Sequence, residues 1–262
     1  MTAARPRHGV TLVELLVAAT LAAIVTAAAA SIVARQARGF AALATGARVV
    51  AQADAAVDVA SLARWASPAD LRTVADSLLE LRAFVGAAPV CAATATSIDV
   101  EAPGSASASW LTIPRAGDLL LADDGDPVDT AAHPIAAVAT AACGARPAYR
   151  LTLASSTLLT PATVHLLRDT RFLLYPSADG LWYLGMSERD SAAWSTIQPV
   201  SGPFAAPAAA AVAGLHFASL GTTPAAARAL RVSAHAIDDA RSTAHAVGAL
   251  TSTVALRNAA IP

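Results

Sequence analysis

Residues 9–14 read Gly9-Val10-Thr11-Leu12-Val13-Glu14, and the run behind them stays apolar as far as Val33. A short leader carrying Arg5, Arg7 and His8 comes before them. Between Val10 and Val33 the only ionisable side chain is Glu14. An acid at bilayer depth costs about 2.5–3.5 kcal/mol on insertion scales, so such a residue points to a function and to a partner. At a rise of about 1.5 Å per residue, a helix from Val10 to about Val33 is long enough to cross a bilayer.

This pattern resembles the cleavage and methylation signal of type IV prepilins and type II secretion pseudopilins. Residue by residue the matches are Gly9 before the cut, Val10 as the new amino terminus, then Thr11, Leu12, Val13, and Glu14 at mature position five. Val10 stands where the family usually has phenylalanine, and Ser31 where many relatives kink the helix with a proline. The resemblance implies that a prepilin peptidase of the inner membrane cuts after Gly9 and methylates Val10. It further implies that Glu14 guides assembly with other pilins or minor pseudopilins.

The competing reading is an ordinary secretory signal peptide with a basic start, an apolar core and small residues at Ala28-Ala29-Ala30 for cleavage. A carboxylate inside the core argues against it, as does the length of the run from Leu15 to Val33. A simpler role for Glu14 is to favour the first helical turn through the helix dipole.

The chain has 262 residues, 55% hydrophobic and 14% charged, with a net charge of −1. This composition speaks for a folded domain rather than disorder. All 18 basic residues are arginine, and they build no basic surface that would bring nucleic acid as a partner. If the domain is exported, an oxidising compartment makes a bridge between Cys91 and Cys143 the expectation, with a pair of buried thiols as the alternative.

No proline interrupts the chain from Val10 until Pro68, and alanine and leucine dominate. The expectation is one helix from about Val10 to Leu62, spanning the membrane over 10–34 and amphipathic over 35–62. Phe40, Leu43, Ala47, Val50 and Val57 form a single helical stripe that would lie on the following domain. From 63 to 262, short apolar runs bounded by turn residues predict β structure. Candidate strands are Leu79–Val85, Ser97–Glu101, Leu119–Ala122, Ile135–Ala139, Arg150–Ala154, Val164–Arg168, Gly214–Ser219, Ala229–Ala236 and Ser252–Arg257. Over the first of these, Leu71, Val74, Leu78 and Leu81 also fit a short helix. Arg171–Tyr175 and Leu181–Gly185 form a hairpin through Ser177-Ala178-Asp179-Gly180. Pro199, Pro203, Pro207 and Pro224 mark loops, and Phe204–Ala211 reads as a surface loop. The fold class is therefore α+β, a long N-terminal helix packed on an antiparallel β-sheet domain, which agrees with the pilin-like architecture the resemblance implies.

Signatures of catalysis are missing from the sequence: no Gly-x-Ser-x-Gly, no His-Glu-x-x-His, no phosphate-binding glycine loop and no Cys-x-x-Cys. His133 reads as a loop residue, His165 and His235 as solvent-facing strand residues, and His216 and His245 as equally scattered. Asp118, Asp123, Asp124, Asp126 and Asp129 around Gly125 could hold calcium, but lack the order of an EF-hand loop and read equally as a solvated turn. No metal site, cofactor or catalytic residue is assigned. The chain is expected to be a non-enzymatic minor subunit, nearest to J-type or PilW-like pseudopilins. It would sit in the inner membrane with its C-terminal domain in the periplasm. The alternative from another class is a single-span periplasmic binding or hydrolytic domain.

Overall fold

Leucine, alanine and valine carry helix α1 without interruption from Leu12 to Ala63 in the computed structural model of the chain. The structure describes residues 11–63, 66–123, 132–155, 162–190, 193–207, 214–221, 226–237 and 247–256. The chain divides into two compact units, residues 1–48 and 49–262.

In the first unit the apolar side chains are exposed, Leu12, Leu16, Leu21, Ile24 and Val33 among them. Hydroxyls in this stretch turn back onto the helix's own carbonyls. Thr20 donates to Val17 O at 2.9 Å, Thr26 to Ala22 O at 2.7 Å and Ser31 to Ala28 O at 2.8 Å. Such bonds pair each hydroxyl within the helix itself. Ser31, at the place of the usual proline, leaves the helix continuous.

In the second unit the rest of α1 buries Val49, Ala53, Ala56, Val59 and Ala63, spaced four, three, three and four residues apart. Of the expected stripe, Val50 is exposed here and Val57 half-buried, while Phe40, Leu43 and Ala47 fall in the first unit. The buried face is the one made of small side chains. Alanine lets a helix backbone approach a sheet closely, whereas the larger residues lie on another face. Ser201 ties this interface by donating to the Gln52 carbonyl at 2.9 Å.

The helix ends in a turn in which Ser67 N–H and Oγ–H both donate to Asp70 Oδ2 at 2.8 Å. Among the described residues fourteen strands follow, all pairings antiparallel. They are β1 (Leu71–Ala75), β2 (Leu78–Ala93), β3 (Ser97–Glu101), β4 (Ser109–Trp110), β5 (Leu119–Asp123), β6 (Ala132–Cys143) and β7 (Arg146–Leu153). Then come β8 (Thr163–Pro176), β9 (Trp182–Asp190), β10 (Ala193–Trp194), β11 (Gln198–Phe204), β12 (Leu215–Leu220), β13 (Ala229–Ile237) and β14 (Val247–Ala255).

Two long strands organise them. Strands β2 and β8 pair from Leu78↔Leu173 to Pro89↔Thr163. Their far halves close a ring in which β2, β3, β7, β6, β5 and β8 pair in turn and β8 returns to β2. Val85, Ile98, Val100, Leu120, Ile135, Leu151, Val164 and Leu166 fill it. Their near halves belong to a second sheet running β1, β2, β8, β9, β11, β13 and β12, which holds the core shared with α1. Gly86 sits at a register shift in β2, and a Cβ there would come 2.4 Å from the Trp110 ring. Only a glycine lets that indole lie on the strand.

Several expectations change in detail. Val164–Arg168 and Arg171–Tyr175 are one strand, β8. Leu79–Val85 is a strand as expected, and the rival helix over Leu71–Leu81 gives way to the β1–β2 hairpin. Pro199 and Pro203 lie within β11, where the register shifts on either side of Ser201, because proline has no N–H for the ladder. Phe204 is fully buried, so the stretch it opens does not start as a surface loop. The Asp-Gly turn stands as expected: Gly180 has φ +82°, and Asp179 Oδ1 accepts from Leu181 N–H at 2.9 Å.

Candidate functional site: the N-terminal signal and the polar clusters

Thr11 and Glu14 build the start of α1 between them. Thr11 N–H donates to Glu14 Oε2 at 2.9 Å and Thr11 Oγ1–H to the same oxygen at 3.1 Å. The Glu14 N–H donates in return to Thr11 Oγ1 at 3.3 Å. This is a capping box, in which a Thr and an acid three residues on satisfy each other's first-turn groups. Both bonds from Thr11 end on one carboxylate oxygen, so the cap leaves Oε1 available. Glu14 is exposed and is followed by a segment whose apolar window has a mean hydropathy of 2.3. By length and composition, Leu12–Val59 can cross a membrane. Gly9 and Val10 lie outside the described residues.

Residues 4–30 match the family profile described as the prokaryotic N-terminal methylation motif. The chain carries a prepilin-type signal. That stretch holds Gly9, Val10 and Glu14, and runs into the exposed half of α1. The prepilin-type signal and the apolar helix together suggest a membrane anchor. The signal is that of a processed, pilin-like subunit, and its family is structural rather than catalytic. No curated protein and no solved structure matches the chain.

Elsewhere several polar residues are committed to structure. Asp118 is fully buried and accepts from Arg168 Nε at 2.6 Å and Nη2 at 2.9 Å, a bidentate pair. Arg168 Nη2 also donates to Ile113 O at 3.1 Å, while its Nη1 meets Glu188 at 3.3 Å. Burial works against the Arg168 charge, but Asp118 and Glu188 outweigh it and hold the guanidinium pKa above its ordinary value. Asp118 is thus spent on an arginine and is no calcium ligand. Asp124, Asp126 and Asp129 lie outside the described residues, and Asp123 ends β5.

Asp99 accepts from Arg150 Nε and Nη2, each at 2.7 Å, across the β3–β7 ladder. Those bonds lower its pKa below the usual carboxylate range. Glu101 is held down in the same sense by the hydroxyls of Ser105 and Ser107 and by Arg146. Cys91 and Cys143 are disulfide-bonded with their Cα atoms 5.7 Å apart. They join β2 to β6, strands that are not neighbours in the ring.

The histidines are dispersed. His133 lies in β6 opposite Leu120, not in a loop, because β5 supplies a partner strand that the flanking proline concealed. His165, 6.4 Å from the Phe84 ring, and His235 are half-buried rather than turned to solvent. His216 Nδ1 stands 3.2 Å from Asp76 Oδ1, and His245 lies outside the described residues. The residue that sequence reading missed is Arg168. A charged residue inside the apolar run of β8 was the available signal, and its partner Asp118 is 50 residues away.

Proposed function

We propose that this chain is a structural minor pilin or pseudopilin, cut by prepilin peptidase between Gly9 and Val10 and assembled into a type IV pilus or type II secretion pseudopilus. The observation that carries the reading is the methylation motif over residues 4–30 running into an exposed apolar helix with one carboxylate. In this reading 1–9 is a cytoplasmic leader and 10–34 spans the inner membrane. Residues 35–62 continue the helix, and 63–262 form a periplasmic domain. The length of that domain favours a J-type or PilW-like subunit over a major pilin.

Glu14 is the assembly residue in this reading. A carboxylate in lipid without a partner is expensive, and the methylated amine of a neighbouring subunit removes that cost. The capping box supports this role, because Thr11 occupies Oε2 and leaves Oε1 to face an incoming ammonium. Glu14→Ala is expected to be processed normally yet to remain unassembled in the membrane. Pili or secretion at wild-type level in that variant would refute the pairing role.

Mass and N-terminal sequence of the mature protein from membranes test the processing itself. A terminus at N-methylated Val10 is expected. A terminus at Ser31 would mean a cleaved secretory signal, and an intact Met1 a plain anchor.

A further inference from the structure

Leu79, Leu81, Phe172, Leu174 and Leu184 face the core shared with α1, so the residues between them on β2, β8 and β9 stand on the opposite face of the sheet. There Arg82, Arg171 and Arg189 stand beside Glu80 and Asp169, and Arg72 joins them from the register shift in β1. Elsewhere in the domain, arginine–carboxylate pairs are tight, at 2.6 Å for Arg168–Asp118, 2.7 Å for Arg150–Asp99 and 3.0 Å for Arg115–Glu188. On this face they are open. Arg82 stands 3.8 Å from both Asp70 and Asp169, and Arg189 stands 4.0 Å from Asp169, beyond hydrogen-bond length. Arg72 makes no ion pair among the described residues.

Between these side chains opens a cavity of about 340 Å³, lined by Arg72, Glu80, Leu81, Asp169, Thr170, Arg189 and Trp194. One face of the Trp194 ring carries the Arg171 guanidinium at 4.6 Å from its centroid. The volume lies in the range of small-molecule sites. Two arginines and two acids in the lining cancel in charge, which disfavours a strongly ionic ligand. They also present fixed donors and fixed acceptors side by side, since a guanidinium only donates and a carboxylate only accepts. A ligand that satisfies both must itself donate and accept at neighbouring atoms, and vicinal hydroxyls do this. An indole wall suits the apolar face of a sugar ring.

We propose that this cavity binds an uncharged saccharide, stacked against Trp194 and hydrogen-bonded between Arg72, Arg189 and the carboxylates of Glu80 and Asp169. The site depends on no part of the pilin reading and would serve any anchored domain of this fold.

Saturation-transfer NMR on the full-length chain in a non-glycosidic detergent tests it. Methyl glucoside, methyl galactoside and N-acetylglucosamine serve as neutral probes, with glucuronate and glutarate as anionic ones. The expected result is saturable transfer to at least one neutral sugar with millimolar affinity. Trp194→Ala should weaken it about tenfold or more. Arg72→Ala removes an exposed side chain without an ion pair, so it should weaken binding while leaving the urea midpoint unchanged. That variant decides the matter if Trp194→Ala does not fold. No saturable transfer from any neutral probe, transfer to the anions alone, or binding unchanged in both variants would overturn the proposal.

Discussion

Arg168 marks the residue at which β8 changes neighbours. Strand β5 pairs with Thr163–Leu167 and β9 with Thr170–Pro176 on the same edge of β8, and Arg168 stands in the gap between them. Its guanidinium reaches Asp118, just before β5, and Glu188 in β9, so one side chain holds both strand ends where the ladder is interrupted. Arg168→Met leaves a fully buried carboxylate without its counter-ion. The expected loss is about 3–5 kcal/mol in urea unfolding, and the double variant with Asp118→Leu should recover much of it. Asp99 acts through pH instead. Its pKa is lowered in the folded state, so its contribution is complete above the ordinary carboxylate value near 4 and is lost as pH falls through the lower folded value. The urea midpoint should fall between pH 5 and pH 2, and Asp99→Asn should make that fall shallower.

At the scale of elements, the helix shows how a correct element can carry a wrong face. Within the second unit the stripe read from helical spacing includes Val50, yet the sheet accepts Val49, Ala53, Ala56, Val59 and Ala63 and leaves Val50 exposed. Periodicity counts apolar residues and does not weigh how closely a backbone must approach. Ala56→Leu is therefore expected to overpack the interface and to cost about 1–3 kcal/mol. Val50→Ser, on an exposed site, should stay within about 0.5 kcal/mol of wild type. Thermal or urea unfolding of the two variants separates the faces, and the reverse order of effects would restore the larger stripe. Strand β11 fails in the sequence for a related reason. Its prolines read as loops, but β9 pairs with Gln198, Pro199, Ser201 and Phe204, and β13 with Phe204.

At the scale of the whole molecule, the second unit is a closed ring and a helix-covered sheet that share two long strands. The disulfide belongs to the ring, crossing from β2 to β6 and enclosing a loop with a sequence separation of 52. In the chain-entropy account such a link stabilises by about 4 kcal/mol. Replacing both Cys91 and Cys143 with alanine should therefore lower stability by about that amount. Hydrogen exchange should rise first in β3, β5 and β6, which lie within the loop, and a uniform rise across β13 and β14 as well would count against a local role. In the proposed reading the signal serves processing alone, so loss of Gly9 should abolish processing without changing the folded domain.

The sequence by itself determined the N-terminal signal, the uninterrupted helix, the antiparallel class of the domain and most of its strands. Each rests on local information: a glycine and an acid five residues apart, helix formers without proline, alternating apolar residues, and an Asp-Gly turn. Only the tertiary structure decided which helix face is buried, that β8 is one strand, that β2 and β8 close a ring, and that Asp118 belongs to Arg168. These depend on contacts between residues far apart in the chain, whose partners are selected by packing and desolvation and leave no spacing along the sequence to read.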